Sequence, residues 1–250
     1  MPLYRYDFYS YLVFSTMYRE FFKRAIDVTV AIFGLTITSP IFILVTLILY
    51  SSNNGKPFFT QSRPGRHERI FSILKFKTMT DDTDAMGNLL PEAQRTTAIG
   101  NFLRKSSIDE IPQLINVLKG DMSLIGPRPL RTHYLPYYTE TERIRHSVRP
   151  GITGLAQVSG RNALSWDDRL KLDVQYVENL SFMQDMNILL KTVKKLISPE
   201  QVVFDPNMLD LDELRRGDTM QTKLSTHLNG YELIADTPKQ DILDERPLQS

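Results

Sequence analysis

From Val28 to Tyr50 the chain runs for 23 residues without a formal charge, and Ser39 and Pro40 stand near the middle of that run. As one straight helix it would measure about 34 Å at 1.5 Å per residue, enough to cross a bilayer. Core helices keep a polar stripe, and this run has little beyond threonine. A retained membrane element is therefore expected. A cleaved signal peptide is excluded, because the run starts late, is too long for the apolar part of one and leads to no small-residue cleavage site.

Pro40 argues against a straight crossing, since proline removes a backbone donor and its ring crowds the preceding turn. Each half is only about 17 Å long at 1.5 Å per residue, too short to cross alone. Arg19, Lys23 and Arg24 precede the run and Lys56, Arg63 and Arg66 follow it, whereas a crossing helix shows a charge asymmetry. The expectation is a re-entrant helix-break-helix over residues 25–50, with the Ser39 hydroxyl serving a backbone group that Pro40 frees. Residues 1–24 are rich in rings (Tyr4, Tyr6, Phe8, Tyr9, Tyr11, Phe14, Tyr18, Phe21 and Phe22). Lying at the membrane interface and packing on the body are both open for them.

With 42% hydrophobic and 24% charged residues, the chain as a whole is a folded protein. It has no cysteine, which excludes disulfide scaffolds and thiolate metal sites. Its net charge of +1 hides an asymmetry: residues 199–250 carry 11 acids and 5 bases, net −6, leaving +7 on residues 1–198. A basic body suits an anionic partner such as phosphate groups or a lipid surface. No recognition helix or aromatic RNA-binding motif appears, so nucleic acid is not an expected partner.

The body, residues 51–198, reads as α/β in the α+β, helix-rich sense: a compact cytosolic unit with a small sheet and interfacial amphipathic helices. "FFTQSRPG" and "IFSILKFKTM" suit two strands joined at a Pro-Gly turn, and "TDDTDAMGNLLPEAQRTT" suits a mobile loop able to close on a substrate. A short helix capped by Thr96 or Thr97 carries Ile99, Phe102 and Leu103, and a second, "PQLINVLKG", starts at Pro112 and stops at Gly120. Asp109 and Glu110 thus sit at a helix entrance, where free amides and the dipole favour keeping at least one of them ionised. Two adjacent carboxylates can hold a divalent cation, and one can attack phosphorus. Arg104 and Arg128 can fork onto phosphate, and Lys75 and Lys77 share a strand face. Spacing alone also allows a plain helix cap and solvated surface charges.

Further on, Ser165 and Asp168 form a capping box, and Leu170, Val174 and Val177 share a helical face. Leu189, Val193 and Leu196 form another, with Lys191, Lys194 and Lys195 to its side; an anionic membrane and the protein core both suit it. Residues 199–250 are expected to be an acidic, largely irregular tail.

The segments "SIDEIPQLINVLKGDMSLIGPRPL", "RPGITGLAQVSGRN" and "LKFKTM" together resemble the bacterial sugar transferase family, the monotopic phosphoglycosyl transferases, from about Phe22 to Ile197. The resemblance implies that Asp109 is a nucleophile that takes a phosphosugar from a UDP-sugar, releasing UMP, and passes it to undecaprenyl phosphate or another polyprenyl phosphate. It implies Glu110 as the second acid, Mg2+ held by Asp109 and Glu110, and Arg104, Arg128 and Arg149, with Lys75 and Lys77, around the substrate. Ser39 and Pro40 match the family's helix-breaking pair. The implied place is the cytoplasmic face of the bacterial inner membrane, initiating an exported glycan, with downstream glycosyltransferases as partners. A noncatalytic membrane-bound module that binds nucleotide-sugar or partner enzymes is the alternative. The chain departs from the family pattern at Lys77, where arginine is common, and at Leu155, where tryptophan is frequent. The sugar and the oligomeric state are not legible.

Overall fold

A computed structural model describes residues 17–160, 164–197 and 210–217. The chain divides into two units, Met1–Pro206 and Asn207–Ser250. In the second, residues 211–217 are helical, so the described part of the expected irregular tail is regular; the rest lies outside the described residues, as do residues 1–16 of the aromatic N-terminal segment.

The first unit is helix-rich with two small sheets, as expected for its class. A π-helical turn, Tyr18–Phe22, leads into the long helix α1, Lys23–Ser52. Along α1, Asp27, Ala31, Val45 and Leu49 are buried and Gly34, Thr38, Phe42 and Thr46 are half-buried, so one stripe lies on the body for its full length. The opposite face presents Phe33, Ile37, Ile41, Leu44, Leu47 and Ile48 outward, with Ile37 75% exposed. A bare apolar face of this extent marks a surface that meets lipid or protein.

The expected interruption at Ser39–Pro40 is not present, because α1 continues through Pro40. The reason is local: Pro40 cannot bond the Thr36 carbonyl, and the Ser39 hydroxyl donates to that carbonyl at 2.8 Å instead. Both ends of α1 are tied to the same unit. Near its start Arg24 donates to the Val117 and Leu118 carbonyls at 2.7 and 3.1 Å, and Asp27 accepts from the Leu124 amide at 3.0 Å. Beyond its end Asn53 donates to the Lys77 carbonyl at 3.1 Å. Of the N-terminal rings described, Tyr18 is buried on the body, whereas Phe21 and Phe22 face outward.

The antiparallel strands β1, Phe58–Pro64, and β2, Ile70–Phe76, pair with Pro64 opposite Ile70. The segment after them is not structureless. It holds bridges Met79 to Thr96 and Thr83 to Leu89 and a helical turn, Glu92–Arg95. Helix α2, Ala98–Lys105, is capped by Thr97, whose hydroxyl accepts from the Gly100 amide at 2.9 Å. Helix α3, Gln113–Lys119, begins after Pro112 and ends at Gly120, whose φ of 90° suits glycine.

Two short strands escaped the sequence reading. β3, Ser123–Ile125, and β4, Gly151–Thr153, pair in parallel and bring "GPRPL" beside "RPGITG". A Cβ on Gly151 would lie 2.1 Å from the Gly126 nitrogen, so this approach requires glycine. Helices α4, Trp166–Glu178, and α5, Phe182–Ile197, complete the unit. Ser165 caps α4, and Leu170, Val174 and Val177 are buried together as expected. On α5, Asp185 and Ile188 face the body, while Met183, Leu189, Leu190 and Val193 are exposed.

Candidate active site

Asp109 and Glu110 occupy a single 3-10 turn, Ile108–Glu110, entered through Ser107 in the left-handed region at φ 57°. The turn runs through Ile111 and Pro112 into α3, and Ile108 packs against the cluster of Val45, Leu49, Phe76 and Leu103. The acid pair is therefore built on the same apolar cluster that seats the end of α1. Asn116 of α3 fixes the pair relative to β2: its carbonyl oxygen accepts from the Leu74 amide at 2.9 Å and its amide donates to the Ser72 carbonyl at 2.8 Å.

That tie brings Lys75 to the acids. Its Nζ donates to Glu110 Oε1 at 2.6 Å and lies 4.0 Å from Asp109 Oδ2. Arg128 donates to the same Glu110 oxygen at 3.1 Å. Burial drives the Glu110 carboxyl up, but Arg128 and Lys75 outweigh it and hold it at about 2. Asp109 differs. It is 8% exposed, its one ion-pair contact is Lys75 at 4.0 Å, and no hydrogen-bond donor meets its carboxylate among the described residues. Burial raises its pKa against the pull of Lys75, with repulsion from Glu110 adding to the rise and the charges of Arg104 and Arg128 opposing it.

The expected source of stabilisation thus needs correction. One acid does stay ionised, but cationic side chains hold it rather than helix amides: the pair sits in a 3-10 turn of its own, and Ile111 and Pro112 separate it from α3, whose first residue is Gln113.

The remaining predicted residues are distributed unevenly. Arg104 lies at the edge of the pair, its Nε donating to Thr78 Oγ1 at 2.9 Å and its Nη1 3.7 Å from Glu92. Lys77 does not join Lys75. It lies beyond the end of β2 and pairs with Asp81. Arg149 is placed away from the pair, donating to the Gly120 carbonyl at 2.9 Å.

One supporting pair was missed. Arg145 and Asp173 form a buried ion pair at 2.7 Å, and Arg145 also donates to the Arg128 carbonyl at 2.7 Å, fixing the backbone that carries Arg128. A signal existed: Asp173 falls on the apolar face of Leu170, Val174 and Val177, where an acid requires a buried partner.

The donor set suits a small hard cation. Asp109 offers a carboxylate with no hydrogen bond on it, and Glu110 retains Oε2, since Lys75 and Arg128 both use Oε1.

Residues 18–199 match the family model described as bacterial sugar transferase. The chain is 54% identical over 181 residues to the "Uncharacterized sugar transferase EpsL" of Bacillus subtilis, covering 72% of this chain and 89% of that protein. It is 39% identical over 208 residues to the "Galactosyl transferase CpsE" of Streptococcus agalactiae, covering 76% of this chain but 46% of that one. It is 38% identical over 195 residues to the "Undecaprenyl-phosphate galactose phosphotransferase" of Salmonella typhimurium, covering 71% of this chain and 41% of that one. The chain thus spans less than half the length of the latter two. The family match takes in α1, the acid pair and the "GPRPL" and "RPGITG" segments, and on that ground this protein belongs to the bacterial sugar transferase family.

Proposed function

We propose that this protein is a phosphoglycosyl transferase that moves a sugar-1-phosphate from a UDP-sugar to a polyprenyl phosphate such as undecaprenyl phosphate. The observation that carries the reading is the asymmetry of the acid pair: Glu110 is held ionised by two cations, while the buried Asp109 carboxylate accepts no hydrogen bond among the described residues. A carboxylate with no donor to blunt it is suited to attack. In the first step a carboxylate oxygen of Asp109 bonds to the sugar-bearing phosphorus as the bond to the UMP oxygen breaks, and UMP leaves with that electron pair. In the second, an oxygen of the lipid phosphate attacks the same phosphorus and the Asp109 carboxylate is restored. Lys75, Arg128 and Arg104 offset the charge that gathers as two anions meet. Mg2+ held by Asp109 and Glu110 would supply further neutralisation of the diphosphate.

The membrane reading rests on α1. Its apolar outward face and the anchoring of both its ends to one unit support a segment that enters and leaves by the same, cytoplasmic, face of the bacterial inner membrane. Such a protein would initiate an exported glycan. Release of UMP from a panel of UDP-sugars in the presence of undecaprenyl phosphate tests the activity, and turnover retained in Asp109→Asn defeats it. Tags at both termini should be equally hidden from outside an intact cell; opposite accessibility would mean a crossing.

A further inference from the structure

Arg149 lies away from the acid pair, and three more arginines lie with it. Its Nε donates to the Gly120 carbonyl at 2.9 Å. Arg24 reaches the same end of α3: it donates to the Val117 and Leu118 carbonyls, and its Nη2 lies 3.5 Å from where a Cβ on Gly120 would stand. Ser147, just before Arg149 in the chain, collects the other two. Arg66 donates from Nε to its carbonyl at 3.1 Å, and Arg19 donates from Nη2 to its hydroxyl at 3.4 Å.

These bonds occupy only part of each guanidinium and leave further N–H groups to meet an anion. Among the described residues, the one carboxylate within ion-pair reach of the four is Glu20, exposed and 3.9 Å from Arg66. Burial lowers the Arg149 pKa, and Arg24 and Arg66 add to the fall against Asp27 and Glu20.

The cluster stands where the apolar face of α1 begins. Arg19 and Arg24 bracket Phe21 and Phe22, which are 68% and 40% exposed, and Ile26, Val30 and Phe33 are exposed further along α1. Aromatic rings favour headgroup depth in a bilayer, and arginine forks match lipid phosphate there. A soluble phosphate compound would suit the arginines but not the bare rings between them.

We propose that Arg19, Arg24, Arg66 and Arg149 form a site for the phosphate of an anionic phospholipid, where α1 meets the bilayer surface. This rests on the membrane reading of α1 above and not on the transfer chemistry. The arginines bind the headgroup and make and break no covalent bond.

The test titrates phosphatidylglycerol into the full chain in detergent micelles, with phosphatidylcholine, undecaprenyl phosphate and UMP titrated separately. Wild type should bind phosphatidylglycerol at least about tenfold more tightly than phosphatidylcholine, by a margin that shrinks as salt rises. Arg149→Gln, Arg24→Gln and the charge reversal Arg19→Glu should each weaken phosphatidylglycerol at least about fivefold. No preference for phosphatidylglycerol in wild type, or affinity for it within about twofold of wild type in the variants, would overturn the proposal. So would weakened UMP or undecaprenyl phosphate with phosphatidylglycerol unchanged, because the cluster would then serve the reaction. Arg19 is exposed and bonds one hydroxyl, so its variant keeps the test decisive if Arg24→Gln or Arg149→Gln does not fold. Wild-type protein recovered in the soluble fraction of lysed cells would sink the membrane reading itself; a chain that stays with membranes but shows no phosphatidylglycerol preference would sink this site alone.

Discussion

Two lysine–carboxylate contacts in this molecule have the same length and opposite surroundings. Lys23 Nζ meets Asp185 Oδ2 at 2.6 Å, and Lys75 Nζ meets Glu110 Oε1 at 2.6 Å. Around Asp185 every oxygen is served: the Tyr18 hydroxyl donates to Oδ2 at 2.6 Å and the Tyr176 hydroxyl to Oδ1 at 2.8 Å. Around Lys75 the service is uneven, with Glu110 taking two cations and its neighbour Asp109 accepting no hydrogen bond among the described residues. A saturated buried pair joins the start of α1 to α5. An unsaturated one leaves the Asp109 carboxylate buried with its charge disfavoured. Ion-pair length alone does not separate scaffold from site; the number of donors on each oxygen does.

The comparison breaks most visibly at Asp109. Asp109→Asn should lower UMP release at least about a thousandfold, measured as initial rate on folded protein. Asp185→Asn should do something different, leaving Lys23 buried without its counter-charge at a loss of about 3–5 kcal/mol in denaturation, with the KM values of the surviving enzyme unchanged.

The Asp109 carboxyl is raised in the folded protein, so the fold favours its protonated form. Its stabilising contribution is complete below the ordinary aspartate pKa and is lost as pH rises through the raised value. At neutral pH the ionised group is therefore a liability, and the inactive Asp109→Asn should be more stable than wild type by about 1 kcal/mol. Equal losses in Asp109→Asn and Asp185→Asn would erase the distinction between the two pairs.

A smaller effect lies in the pH–rate profile. Activity that needs ionised Asp109 should fall on the acid side at a pH above the usual aspartate range. Glu110→Gln removes a repelling charge and leaves Lys75 and Arg128 to act on Asp109, so the acid limb of its residual activity should move to lower pH. Smallest is Ser39→Ala, which strips the donor from the Thr36 carbonyl beside Pro40 and should lower the unfolding free energy by about 1 kcal/mol.

Much of the local framework could be read before folding. The α3 limits at Pro112 and Gly120, the Ser165 cap, the β1–β2 pairing and the buried face of α4 all appear where pattern and capping chemistry put them, and of the two threonines offered as the α2 cap the structure uses Thr97. These rest on interactions a few residues long. The Ser39 hydroxyl serves the carbonyl that Pro40 frees, as expected, and with that bond made the helix runs on through Pro40 instead of breaking. Lys75 and Lys77 share a face in an ideal strand, but β2 ends at Phe76, which frees Lys77 to pair with Asp81.

By itself, the amino-acid order determined the acid pair, the short helix that follows it and the long apolar stripe of α1, because caps, proline, glycine and periodicity act within a turn or two. Tertiary structure alone decided that Lys75 rather than Lys77 meets the acids, that Arg149 turns to Gly120, that β3 lies beside β4 and that Lys23 finds Asp185. Those contacts join residues 28 to 162 positions apart. Their partners are selected by packing and by the need to satisfy each buried charge, neither of which exists until the chain has closed on itself.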